Sequence, residues 1–342
     1  MKNNLPPKLS LWKMCFAAIM LMAIGAALGW YLRSERGSGE LHIPGKEQRS
    51  ADAIRDLGQS RFTNPLLECA ELPETLSIGD RKGLEDSVTN LIEQKKKEGA
   101  LLNVSVYFRD LNNGPWFGIN ETEKFYPASL LKVPLAMYYY WKADTDPDTL
   151  SQPIEFAGPK GITVAHFPPR ASISEGKQYT VEELIQLMLK ESDNDASMIL
   201  YQFAGQEPTA GVFKDLGVDP GDPGKEYAID VRTYASFFRI LFNATYIGRT
   251  HSERMLEMMS DSSFTRGITA GVPAGVTVSQ KFGEKTIDVA KNLHQLHNCG
   301  IVYAPGNPYT LCIMTQGNDF EKLAGVIKDI SAHVYAEVVR EN

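Results

Sequence analysis

The stretch "EKFYPASLLKVPLAMYYY", residues 123–140, places a serine and a lysine three residues apart in a segment otherwise almost free of charge. Apolar residues such as Leu130 and Val133 recur there at intervals of three and four, which predicts a helix beginning near Ser129. Pro134 is compatible with a helix only close to its first turn, and this also favours a start near Ser129. The stretch is therefore predicted to open a buried helix.

The side chains of Ser129 and Lys132 should lie beside each other, because residues three apart share a helix face. A free lysine has a pKa near about 10.4 and is a poor base, but desolvation or a second cation lowers that pKa by several units. The pair is a candidate nucleophile and base. On this motif alone, the alternative is a capping serine followed by a lysine that reaches out to solvent.

The composition limits the classes of partner. The chain has 342 residues, 43% of them hydrophobic, which allows one large domain or two closely packed domains after an N-terminal extension. A net charge of −7, without basic clusters beyond the N-terminal region, gives no support for nucleic-acid binding. We expect a small or cell-envelope substrate and a monomer.

The N-terminal region predicts a membrane anchor. Residues 14–32 carry no charge over about the length that spans a bilayer core, and lysines precede them. Residues 1–32 are thus interpreted as a cytoplasmic tail and a single transmembrane helix, with a cleaved signal peptide as the alternative. Residues 33–60 are polar and predict a linker. Residues 61–342 would form the catalytic domain, outside the cytoplasm at the cell membrane.

If the catalytic domain is exported, its cysteines can be oxidised, and two of Cys69, Cys299 and Cys312 could form a disulfide. Three cannot all pair, and the sequence does not decide which of them do. No metal or cofactor is expected. His294, His297 and Cys299 lead into a strand with no convincing fourth ligand.

The pattern along residues 61–342 predicts a mixed α/β fold of the α+β class. A helix over residues 82–99 precedes two strands around an Asn-Asn-Gly turn. A capping box at Thr180 and Glu183 opens a helical middle, three strand-like runs follow Gly275, and an amphipathic helix ends the chain. This order predicts a five-stranded antiparallel sheet flanked by terminal helices. An all-α subdomain at about 127–270 would complete the fold, with the active site between the two parts.

Two further motifs support the catalytic reading of Ser129 and Lys132. Ser192-Asp193-Asn194 stands at the junction between two predicted helices, and Lys281-Phe282-Gly283 stands on a later strand. Each alone is common, as a helix cap or as a lysine at a strand end. Their order, spacing and settings together are the signature of penicillin-recognising serine enzymes.

From about Leu84 to the C-terminus, including "FTRGITAGVPAGVTVSQKFGE" at residues 264–284, the chain resembles the class A β-lactamases. The resemblance implies a β-lactamase/D,D-peptidase-like fold. It also implies that Ser129 attacks the substrate carbonyl, that Lys132 is the base, and that Ser192 relays a proton to the leaving nitrogen.

The resemblance assigns further roles around the same site. Lys281 would hold positive charge near Lys132 and Ser192, lower their pKa values and attract a substrate carboxylate. Asn194 would hydrogen-bond the amide of the substrate side chain. Gly283 and Glu284 would belong to the substrate-binding strand, with the backbone N–H groups of Ser129 and Glu284 as the oxyanion hole.

The chain departs from that family pattern in two places. Phe282 replaces the usual Thr or Ser after the strand lysine, so a hydroxyl that would contact the substrate carboxylate is absent. The Glu-x-x-x-Asn loop, whose glutamate activates the deacylating water, is also missing. Between Leu216 and Val231 the chain has only "GVDPGDPGKEYAID". Asp222 and Glu226 are the candidate acids there, and Glu226 is the candidate deacylation base, unless it is simply a solvated loop acid.

Three functions follow as hypotheses. The first is a serine acyl-enzyme hydrolase that opens β-lactam rings, with slow deacylation. The second is a membrane-anchored D-Ala-D-Ala carboxypeptidase or transpeptidase that acts on the peptidoglycan stem peptide. The third is a non-catalytic envelope-binding module that retains the fold.

Overall fold

The computed structural model describes residues 60–64, 82–112, 114–158, 165–205, 208–221 and 225–340. Within these ranges the α-helices are α1 Lys82–Lys97, α2 Lys132–Ala143, α3 Val181–Lys190, α4 Asn194–Ala204, α5 Pro208–Asp215, α6 Val231–Asn243, α7 Arg249–Ser260 and α8 Phe320–Arg340. The strands are β1 Asn103–Asp110, β2 Trp116–Ile119, β3 Lys124–Phe125, β4 Pro153–Glu155, β5 Gln178–Thr180, β6 Ile229–Asp230, β7 Val278–Asp288, β8 Leu293–Val302 and β9 Tyr309–Gly317.

Five of the strands form one antiparallel sheet in the order β2-β1-β9-β8-β7. Apolar side chains of the two terminal helices, such as Val88 of α1 and Ile327 of α8, join a core with one face of the sheet. The other core contains the helical middle of the chain and sheet residues including Ile301 and Met314. The predicted α+β class, with an antiparallel sheet and terminal helices, is confirmed.

Helix α3, in the helical middle of the chain, begins at the predicted capping box. The Thr180 hydroxyl oxygen accepts the Glu183 N–H, and the Glu183 carboxylate accepts the Thr180 N–H in return. Together these bonds satisfy two backbone donors that a helix start leaves free. This part of the chain is not wholly α, however. Short strands pair there as β3 with β6 and β4 with β5, because extended segments between helices can hydrogen-bond to each other.

A disulfide joins Cys299 of β8 to Cys312 of β9. The two residues are direct partners in the strand register, which places both sulfur atoms on the same face of the sheet. Cys69 and the predicted anchor at 14–32 lie outside the described residues. No helix in the described ranges is both long and apolar enough to cross a membrane.

Candidate active site

The predicted nucleophile lies in a tight turn just before α2. Residues Ala128–Leu131 form a 3₁₀ helix, and the α-helix proper begins at Lys132 rather than at Ser129. The turn starts at Ala128 in the left-handed region, with φ 49°. A non-glycine residue adopts that conformation at a cost of about 1–2 kcal/mol, so the surrounding contacts must hold it in place.

Two long-range contacts hold this turn. A Cβ atom at Gly283 of β7 would lie 2.6 Å from the Pro127 carbonyl oxygen, so only glycine lets the strand approach so closely. From the other side, the buried Tyr234 hydroxyl of α6 donates to the Leu130 carbonyl oxygen at 2.9 Å. The turn that carries Ser129 is thus fixed between the sheet and the helical region.

The Lys132 amine points to the start of α4. Its Nζ donates to the Ser192 carbonyl oxygen at 2.6 Å, to Asn194 Oδ1 at 2.7 Å and to Ser192 Oγ at 3.3 Å. Lys132 is only 4% exposed, so these bonds replace water. They account for the three N–H donors of the charged amine, and loss of one proton would leave a lone pair that can accept a hydrogen bond.

The second lysine reaches Ser192 from the sheet. Lys281 Nζ of β7 donates to Ser192 Oγ at 2.8 Å and to the Phe282 carbonyl oxygen at 2.9 Å. Lys281 is fully buried. The Ser192 hydroxyl therefore lies between two amines, the position that a proton relay requires.

Burial dominates the electrostatics of both lysines. Desolvation lowers the pKa of Lys132 to about 7, although the charges of Asp193 and Glu284 oppose it. Desolvation also lowers the pKa of Lys281 well below its usual range, and the nearby charge of Lys132 lowers it further. It is unfavourable for both buried amines to be charged at the same time, so a neutral amine is accessible near neutral pH.

The segment at Ser192 also serves a structural purpose. Asp193 caps α4 by accepting the Ala196 N–H at 2.7 Å, and its other oxygen accepts the Ile173 N–H at 3.3 Å. Ser192 adopts a left-handed conformation with φ 58°, which accompanies the hydrogen bond between its carbonyl group and Lys132. Helix capping and the contacts of the two lysines coexist here, so the two sequence interpretations of this motif are compatible.

All these groups meet at a cleft of about 1280 Å³. It is lined by predicted site residues from three separate parts of the chain, namely Ser129, Lys132, Ser192, Asn194 and Glu284. Lys281 contacts this group through Ser192, and Gly283 packs against the turn before Ser129. The fold thus brings the three motifs together.

Phe282, the residue that departs from the family pattern, belongs to an aromatic cluster at the edge of the cleft. Its ring stacks on Phe264 with centroids 4.3 Å apart, and the edge of Phe167 approaches both rings. Phe282 is 3% exposed. The side chain at this position therefore contributes packing and no hydrogen-bond donor.

Sequence reasoning did not find the role of the Glu284 side chain. The Glu284 carboxylate lines the cleft and accepts the Phe167 N–H at 3.2 and 3.3 Å from its two oxygens. Burial raises its pKa, while the Phe167 N–H and the neighbouring His166 and Lys281 lower it. Glu284 thereby fixes the rim segment, residues 165–169, and adds negative charge near the two lysines. An acid directly after Lys281-Phe282-Gly283 was the only signal for it in the sequence.

Glu226, the predicted candidate base, forms an ion pair with Lys285. Its side chain is 53% exposed, and it is not among the described residues that line the cleft. Lys285 does line the cleft, and its amine lies 5.0 Å from the centre of the Tyr126 ring. Asp222, the other acid considered, lies outside the described ranges.

Several solved structures share this fold. A β-lactamase from Chitinophaga pinensis is 19% identical, with 75% of this chain and 99% of that chain covered and a TM-score of 0.64. The TLA-3 extended-spectrum β-lactamase is 16% identical, with 74% and 99% covered and a TM-score of 0.64. PBP-A, a mutant of which was solved as an acyl-enzyme complex with penicillin G, is 20% identical, with 74% and 97% covered and a TM-score of 0.60.

These likenesses establish a β-lactamase/D,D-peptidase-like fold. The beta-lactamase enzyme family model matches residues 83–338, which is most of the chain, and the chain therefore belongs to that family. No curated protein matches it.

Proposed function

We propose that this protein is a serine hydrolase of the class A type that opens β-lactam rings through an acyl-enzyme at Ser129. The observation that carries the proposal is the convergence of the Lys132 and Lys281 amines on Ser192 Oγ, in the cleft that Ser129 lines. The lowered pKa of Lys132 makes its neutral form available as a base for the Ser129 hydroxyl.

The acylation step then follows from these residues. Neutral Lys132 takes the Ser129 proton as the hydroxyl oxygen attacks the ring carbonyl. The N–H groups of Ser129 and Glu284 are assigned to the developing oxyanion, and losing one such donor costs about 3–4 kcal/mol. Ser192 gives its proton to the leaving ring nitrogen and takes one from protonated Lys132, so that the C–N bond breaks as the ester forms. Asn194 is assigned to the amide of the substrate side chain.

We further infer that deacylation is slow. The acylating groups converge, whereas no glutamate of the family's Glu-x-x-x-Asn loop is present in the sequence. Lack of a general base slows its step by about 10²- to 10⁴-fold. Stopped-flow mixing with a chromogenic cephalosporin should give a burst near one equivalent per enzyme and then a much slower steady rate. Fast turnover that is linear from the start, with no adduct in mass spectrometry, would contradict this inference.

A D-Ala-D-Ala carboxypeptidase or transpeptidase is the second candidate, and the sequence departure at the deacylation loop favours it. Such an enzyme needs the same acylating groups on a cell-wall peptide. Release of D-Ala from a pentapeptide at a rate above cephalosporin turnover would select this candidate.

For the location, we propose a single-pass anchor at 14–32 with the catalytic domain outside the cytoplasm. The Cys299–Cys312 disulfide supports export, since such bonds persist in oxidising compartments. Protease added to cells whose cytoplasmic membrane is intact, with access to that membrane, should digest the catalytic domain. Protection by the cell membrane itself would contradict this orientation.

A further inference from the structure

The sheet edge opposite β7 carries a second, smaller pocket of about 210 Å³. It lies between α6 and the strands β1, β2 and β9, and it shares no lining residue with the catalytic cleft. Its walls combine three arginines with aromatic and small side chains: Tyr107, Arg109, Trp116, Arg232, Ala235, Ser236, Arg239 and Thr310.

The sheet side of the pocket is one row of paired residues. Arg109 of β1 is the direct partner of Trp116 in β2 and of Thr310 in β9. Paired residues of neighbouring strands point to the same face, so the three side chains lie side by side. Tyr107, two residues before Arg109, shares that face and stacks on Trp116 with centroids 5.7 Å apart.

The helix side completes the pocket. Arg232, Ser236 and Arg239 are four and three residues apart, which places them on one stripe of α6. The Arg232 guanidinium lies 4.6 Å from the centre of the Trp116 ring. One arginine from the sheet and two from the helix thus surround the same small space.

This cluster of positive charge has no counterion in the described part of the chain. No described carboxylate lies within ion-pair distance of Arg109, Arg232 or Arg239, and no described acid lines the pocket. The chain as a whole has an excess of acidic residues, with a net charge of −7, so the uncompensated positive charge of this pocket is contrary to the overall composition. Three like charges that converge without a partner repel each other, and a bound anion would remove that repulsion.

An independent observation concerns the residue between the strands. Thr310 is 1% exposed, and its hydroxyl oxygen has no hydrogen-bond partner among the described residues. A buried hydroxyl group without a partner destabilises the fold. It is the direct strand partner of Arg109, so a polar group bound at the base of the pocket would complete its hydrogen bonding.

We propose that this pocket binds a phosphate group, either free or as a phosphate monoester. Guanidinium groups form paired hydrogen bonds with phosphate oxygens, and the two negative charges of a phosphate monoester would offset two of the three arginine charges. The pocket volume of about 210 Å³ equals that of about seven water molecules, since each occupies about 30 Å³ in the liquid. The pocket is therefore larger than the bare anion needs. The proposal is independent of the catalytic function.

The test is a titration of the full chain with inorganic phosphate, glycerol 3-phosphate and dihexanoyl phosphatidic acid, by calorimetry at low salt. We expect one site for each, with an affinity that falls as salt is added. Arg109→Gln, Arg232→Gln and Arg239→Gln should each weaken binding about ten- to a hundredfold. Arg340→Gln, which changes an exposed arginine at the end of α8, is the matched control and should leave the affinity unchanged.

The three ligands distinguish the source of the phosphate. Similar affinities would show that the site recognises the phosphate group alone, and a tenfold preference for the lipid would identify a lipid headgroup as its source. Absence of binding by all three, or binding that the arginine substitutions leave intact, would overturn the proposal.

Thr310→Val removes the hydroxyl group and keeps the shape of the side chain. It should weaken phosphate binding about two- to tenfold without lowering the melting temperature, because the lost group has no hydrogen-bond partner among the described residues. This variant decides the question if an arginine variant fails to fold. Unchanged affinity in Thr310→Val would then overturn the proposal.

Discussion

The cleft and the segment between α5 and α6 use their charged groups in opposite ways. In the cleft, Lys132 and Lys281 are buried and directed at Ser192. In residues 217–230, the described acids accept backbone N–H groups or pair with a lysine. Asp219 accepts the Gly221 N–H, Asp230 caps α6 by accepting the Thr233 N–H, and Glu226 pairs with Lys285.

This contrast separates the two halves of the proposed reaction. Acylation needs a nucleophile, a base and a proton relay, and those groups are held by contacts between distant parts of the chain. Deacylation needs a further base for water, and the described acids of residues 217–230 form turns, a helix cap and an ion pair instead. The chemistry of one half can therefore be retained while the other is weakened.

The largest effect should come from the nucleophile. Ser129→Ala removes the only atom proposed to form the ester, so a labelled penicillin should no longer attach. Ser197→Ala is the matched control, because Ser197 also lines the cleft and is given no catalytic role. Mass spectrometry of the digested protein should locate the label on the peptide that contains Ser129. A label that survives Ser129→Ala would place the nucleophile elsewhere.

The base should have the next largest effect. Lys132→Arg keeps the charge but cannot lose a proton near neutral pH, so the acylation rate should fall by about 10²- to 10⁴-fold. Lys285→Arg is the control, since Lys285 lines the same cleft and is proposed only as the partner of Glu226. Single-turnover rates measure both. A Lys132→Arg variant that acylates at more than about a tenth of the wild-type rate would show that another group is the base.

Local sequence pattern predicted the short-range features of the fold and the site, but not the features that depend on residues far apart in the chain. Two short-range features are the three-residue spacing of Ser129 and Lys132 and the capping box at Thr180. Both lie within one helical turn of the position that the pattern predicted. The exact start of α2 did not follow from local pattern. It depends on the Gly283 approach and the Tyr234 hydrogen bond, which come from residues far along the chain.

The same limit explains what the sequence left open. The pairing of Cys299 with Cys312 is set by the strand register, which is not visible from the spacing of the cysteines. The contact between Glu284 and Phe167 joins residues 117 positions apart, so no periodicity could reveal it. Position-specific motifs located the lysines, whereas the side chains that adjust their pKa became apparent only in three dimensions.

The pH dependence of acylation tests whether Lys132 is the base. The pKa of Lys132 is about 7, and the neutral form is the base, so the rate should rise about tenfold per pH unit below 7 and level off above it. The negative charge of Glu284 raises the pKa of both Lys132 and Lys281. Glu284→Gln removes that charge and should move the midpoint of the rise to lower pH.

Glu321→Gln is the control for this shift, because Glu321 also lines the cleft but pairs with Arg266 and His166 at the rim. Its midpoint should match that of the wild type. A midpoint that stays fixed or rises in Glu284→Gln would mean that Lys132 is not the group that titrates in acylation.

The smallest effect is expected at Glu226. Its carboxylate pairs with Lys285 and is about half exposed, and exposed ion pairs contribute about 0–1 kcal/mol, so Glu226→Gln should change steady turnover by less than about fivefold. The burst of acylation should keep its amplitude and rate. Lys285→Met, which removes the other half of the pair, is the matched control and should give a change of similar size. If Glu226→Gln instead keeps the burst and lowers turnover by about 10²-fold or more while Lys285→Met does not, Glu226 is the deacylating base, and the separation of the two halves of the reaction no longer holds.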